Sequence, residues 1–72
     1  MNYISRRNQL LDEIEEGLIT VSEAQKALAG WLLKSWEAEG FPVFGSDKLS
    51  PAEYAAMNAR ASIIYWIRNL RR

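Results

Sequence analysis

Four carboxylates fall within the five residues DEIEE, namely Asp12, Glu13, Glu15 and Glu16. Carboxylates this close can pass protons to and from a substrate or share a divalent cation, provided that they converge and are shielded from water. On a helix, at about 100° per residue, they point to the side opposite the apolar stripe. Nothing there raises a carboxyl pKa or excludes solvent. The expectation is a solvated acidic face, with docking onto a basic surface, as a mimic of nucleic acid, as its functional alternative. The chain has no histidine and no cysteine, so it lacks the commonest general base, the commonest metal ligand, thiolate sites and disulfides. No phosphate-cradling glycine loop, nucleophile elbow or metal-ligand spacing occurs. A non-enzymatic protein with no cofactor and no metal is expected. A small enzyme would need a carboxylate buried against the aromatic residues.

The arginines are the other charged group. From Asn58 to the end the chain carries Arg60, Arg68, Arg71 and Arg72 without a single acid. Together with Arg6 and Arg7 they make the nucleic-acid reading, in which guanidinium groups contact phosphates and base edges. Against it, nine basic residues balance nine acidic ones, so no global field holds the chain to a polyanion. Arg60 and Arg71 share one flank of their helix, Arg68 sits among apolar side chains, and no single basic stripe results. Cations near a helix C-terminus are also favoured by the backbone dipole alone.

The elements that position these groups are marked by their ends. At 72 residues the chain is one domain, with a thin stability margin unless a staple or partner adds to it. The first helix is predicted over residues 4–16, burying Tyr3, Ile4, Leu10, Leu11 and Ile14, with Gly17 as its C-terminal cap. The second is predicted over 20–39 and opens on a capping box between Thr20 and Glu23. Its apolar arc is wide, taking in Val21, Ala24, Ala27, Leu28, Trp31, Leu32 and Trp36. The third is predicted over 51–70, with Ser50 as cap, Pro51 in the first position and Glu53 in the third. Between the second and third, GFPVFGSDKLSP has Gly40, Pro42 and Gly45 to stop helices, yet Phe41, Val43, Phe44 and Leu49 suit a loop packed over the end of the bundle. A strand at FPVF would have no partner. The architecture predicted is an all-α three-helix bundle with an aromatic loop over 40–49. Trp31, Trp36 and Trp66 are expected in the core, with Trp36 at the edge of its arc, where it can line a groove.

Within residues 10–33 the turn Gly17, Leu18, Ile19, Thr20 and the following Glu23 resemble the helical hairpin of SHOCT-type short oligomerisation domains. The resemblance implies self-association or docking of the hairpin. It covers a third of the chain, and the tryptophan-rich second helix departs from the family pattern.

The third helix has two apolar sides. Ala55, Ala56, Ala59, Ile63, Trp66, Ile67 and Leu70 form one arc, with small residues that let a neighbouring backbone come close. Tyr54, Met57, Ala61, Ile64 and Tyr65 form a second, with Arg68 among them. A helix in so short a bundle normally buries one face, and tyrosine, methionine, isoleucine and arginine together have the composition of an interface. Tyr54, Met57, Ile64, Tyr65 and Arg68 are therefore the expected partner contacts, with Tyr65 and Arg68 as anchors. The expected partner is another protein, with a homodimer included. The expected role is that of a small regulator or inhibitor, in the style of phage or mobile-element accessory proteins that block a host factor. The arrangement of arginines opposes a membrane-surface role, no segment has the length and apolarity of a membrane span, and MNYISRRNQL lacks a secretory core. A cytoplasmic setting is the expectation.

Overall fold

The computed structural model describes residues 2–42 and 49–70, with side chains through Arg68. It is an all-α three-helix bundle: α1 spans Tyr3–Glu15, α2 Val21–Glu39 and α3 Pro51–Leu70. Each start has a side-chain cap that satisfies amides left free by the first turn. Asn2 Oδ1 accepts from the Ser5 amide at 2.8 Å. Thr20 Oγ1 accepts from the Glu23 amide at 3.1 Å while the Glu23 carboxylate accepts from the Thr20 amide at 2.9 Å. Ser50 and Glu53 repeat this reciprocal box at 3.3 and 3.0 Å.

The end of α1 is a Schellman turn. Gly17 takes a φ of +77°, its amide donates to the Ile14 carbonyl at 3.0 Å, and the Leu18 amide donates to the Glu13 carbonyl at 2.9 Å. α2 stops at Gly40, whose amide donates to the Trp36 carbonyl at 2.7 Å and whose φ is +100°. A side chain at either glycine would be strained by the backbone conformation alone.

α2 and α3 pack most extensively, and α1 lies against both. The buried cluster takes Leu10 and Leu11 from α1, Ala24 and Leu28 from α2, and Ala59 and Ile63 from α3. Leu32 and Ala55 are buried as well. Alanine on both α2 and α3 lets those helices approach, and the leucines and isoleucine fill the volume between them.

The structure corrects several expectations. Ile4 is 56% exposed, and the buried stripe of α1 runs instead through Tyr3, Arg7, Leu10 and Ile14, spaced i, i+4, i+7 and i+11. Trp31, Trp36 and Trp66 are all half-buried, so the fully buried core is aliphatic. Val21 is exposed as the first residue of α2, although it projects between the buried Leu28 and Leu32, and Ala56 is exposed toward the margin of its arc. Half of Phe41 is open to solvent and Pro42 lies outside any strand. Val43 and Phe44, on which the packed loop depended, lie outside the described residues, as does the side chain of Leu70.

Both capping glutamates have carboxyl pKa values below the ordinary one, because the amide and then the hydroxyl of Thr20 or Ser50 donate to the ionised form. A depressed carboxyl pKa adds stability that is present above the unfolded value and lost as pH falls through the folded one. Glu23→Gln and Glu53→Gln should therefore lower Tm at neutral pH, by a gap that shrinks as pH falls through the depressed folded pKa values and closes once the carboxyls are protonated in both states. An undiminished gap at the acid end of a calorimetric pH series would show that carboxylate charge adds nothing to the caps. In the core, Leu28→Ala should cost about 2 to 5 kcal/mol by denaturant titration, against a total of roughly 5 kcal/mol for a domain this small.

Candidate functional site

α3 presents Ala55, Ala59 and Ile63 to the core, which fixes what the opposite side of the same helix must show to solvent. That side is a shallow groove of about 500 Å³ lined by Met57, Arg60, Ala61, Ile64, Tyr65 and Arg68. Met57 and Tyr65 are each 57% exposed, which is high for large apolar side chains in the middle of a long helix. Ile64 is half-buried at its floor, and Ala61 provides the depression between Met57 and Tyr65.

Four of the expected contacts, Met57, Ile64, Tyr65 and Arg68, thus come together in one place. Tyr54 lies one turn earlier, half-buried, and does not line the groove. Arg60, expected only as a nucleic-acid contact, joins Arg68 as one of the groove's two cations. On its other side Tyr65 borders a shallower depression with Asn58, Ser62 and Trp66.

Behind the groove Tyr65 meets Trp66 edge to face, with ring centroids 5.5 Å apart and planes at 78°. Trp66 packs against the core, and the Arg7 guanidinium lies over its ring at 4.0 Å. Arg7 is 7% exposed, and its Nε and Nη2 donate to Asn8 Oδ1 at 3.2 and 3.0 Å. Aromatic face and amide oxygen together replace the carboxylate that a buried guanidinium usually requires.

These positions bear on the nucleic-acid set. Arg7 is removed from it by burial, and Arg6 is half-buried with Nη1 donating to Gln9 Oε1 at 3.0 Å. Arg60 and Arg68 stand in the α3 groove, while Arg71 and Arg72 lie outside the described residues. The described arginines therefore form no shared basic stripe.

A second groove of about 470 Å³ is lined by Asn2, Tyr3, Trp31, Leu32, Ser35, Trp36 and Glu39, so Trp36 stands in a groove wall, the alternative to its expected place in the core. Its rings of Tyr3 and Trp31 are 6.3 Å apart at 50°, and the buried Tyr3 hydroxyl has no hydrogen-bond partner among the described residues. Asp12, Glu15 and Glu16 are exposed and Glu13 half-buried, so the acidic face is wet. Among the described residues no carboxylate is buried, and no three metal-ligating side chains converge. Among them also, no helix is long and apolar enough to cross a membrane.

Comparisons with protein-family models, with curated proteins and with solved structures gave no match for this chain.

The adjacent isoleucines separate the two sides of α3. Ile63→Asp puts a charge into a site with no exposure and should unfold the protein. Ile64→Asp should keep the helical far-ultraviolet circular dichroism and lower Tm only modestly. Equal loss of helicity in both variants would place Ile64 in the core.

Proposed function

We propose that this chain works by binding protein through the groove on α3, as a regulatory or inhibitory module that acts by occupying a surface. The carrying observation is the exposure of Met57 and Tyr65 around Ile64 on a helix whose other side already completes the core. Apolar side chains left in water are unfavourable by about 25 cal/mol per Å² relative to burial, and a protein surface that excludes water from them recovers that energy. Tyr65 is held by its contact with Trp66, so little conformational freedom is lost when a partner covers it. Arg68 and Arg60 supply directional donors at the edge, where such groups set register and specificity.

Duplex or single-stranded nucleic acid suits this surface less well. Phosphate binding uses several cations along one track, and the described arginines provide two at the groove.

The chain contains no cysteine, so a single one can be placed in the groove. Ala61→Cys carrying a photocrosslinker should give discrete protein adducts in a lysate of the source cells, with this chain or with another. The same label at Lys34→Cys should not give them, and Ile64→Asp in the labelled chain should abolish them. Adducts to nucleic acid, with affinity falling steeply as salt is raised, would replace this reading with the competing one. Adducts indifferent to the position of the label would remove the groove as the site.

A further inference from the structure

The turn between α1 and α2 carries an apolar surface of the opposite electrostatic kind. In a Schellman turn the residue after the glycine ordinarily packs on the side chains three and four places before the helix cap. Those places here are Glu13 and Asp12, so Leu18 has no apolar seat and is 68% exposed. Val21, at the start of α2, is exposed beside it in sequence, whereas Ile19 turns inward onto the core.

The charges around this tip run against local preference. From Asn8 to Gln25 the chain has five acids, Asp12, Glu13, Glu15, Glu16 and Glu23, and no cation. The last turn of α1 has no basic residue, although the free carbonyls there favour one. Carboxylates at the negative end of a helix, around an uncovered leucine, are a local conflict of the sort that a cationic, apolar counterpart would relieve.

α3 has those properties. From Tyr54 to Arg72 there are four arginines and no acid, and two of them, Arg60 and Arg68, line the groove with Met57, Ile64 and Tyr65. That groove faces away from the core, and neither Arg60 nor Arg68 forms an ion pair among the described residues. Pairing α3 with α3 across a two-fold axis would bring four groove arginines together with Glu53 as the one acid of each helix, which leaves an excess of positive charge at the contact. Pairing the groove with the hairpin tip sets arginine against carboxylate and covers Leu18 with Met57, Ile64 and Tyr65.

We propose that the α1–α2 tip, with Leu18 and Val21 exposed and Asp12, Glu13 and Glu16 on the last turns of α1 leading into it, docks into the α3 groove of a second copy of this chain, so that the protein associates head to tail. The proposal rests on the groove being a protein-binding site and names its occupant. A heterologous contact of this kind leaves one tip and one groove open at the ends, and so builds rings or open chains.

The test uses the whole chain in sedimentation velocity and light scattering over a wide concentration range. The wild type should grow past two chains with concentration and shrink as salt is raised. Leu18→Lys spoils the tip and Arg68→Glu the groove; each alone should be folded by circular dichroism and weakened in association by about tenfold or more. Mixed in equal amounts they should form a dimer and stop there, since the good tip of one meets the good groove of the other. A mixture that stays monomeric overturns the proposal. So does a dimer that survives Leu18→Lys and is lost with Ile64→Asp, which would be a two-fold α3 pair. A wild type monomeric throughout also overturns it, and would leave the groove to a foreign protein with the binding reading intact.

Discussion

Close approach of α2 and α3 is the constraint on which the rest of the molecule depends. Ala24 on one helix and Ala55 and Ala59 on the other are almost wholly buried, and only a small side chain at these positions lets two helices meet over so much of their length. Ile63 and Leu28 then fill the space on either side, and α1 completes the cluster with Leu10 and Leu11. Once α3 is turned so that its alanines face inward, Met57, Ile64 and Tyr65 have nowhere to go except outward. The groove is thus a by-product of the core's geometry before it is a site.

Much of this could be read from the chain because it was written in local chemistry. A threonine or serine followed three places later by glutamate states where a helix begins, and glycine after a run of helix formers states where it ends. Both boxes and both glycine ends lie where the pattern puts them. The two-sided character of α3 was also legible, since the apolar positions fall into two arcs separated by arginine on one side and by asparagine and serine on the other. What periodicity could not decide was which member of an apolar arc is covered by which neighbour. Ile4 and Ala56 lie toward the margins of their arcs and Val21 at the end of its helix, and three helices have too little surface to cover margins and ends.

Arg7 is the most informative miss. A charged residue in an amphipathic pattern is read as solvent-facing because an unpaired buried charge is costly. The signal that could have placed it correctly is its register: four after Tyr3 and three before Leu10, it lies on the buried stripe. Its charge is tolerated because Trp66 offers the face of an aromatic ring, a pairing between α1 and α3 that no local pattern announces. Likewise, the exposure of Leu18 follows from Glu13 and Asp12 occupying the seat a Schellman turn reserves for an apolar contact, which only the hydrogen bonds of the turn make evident.

Contacts from Tyr65 to Trp66 to Arg7 join the wall of the groove to the seat of the first helix. Tyr65 stands in the groove, its ring edge meets Trp66, and Trp66 carries the guanidinium that seats α1. Tyrosine and tryptophan at this separation share excitation energy, and the indole emission depends on the cation above it. With Trp31 and Trp36 replaced by phenylalanine, the colour and yield of Trp66 would therefore gauge the wall of the groove and the seating of the first helix at once.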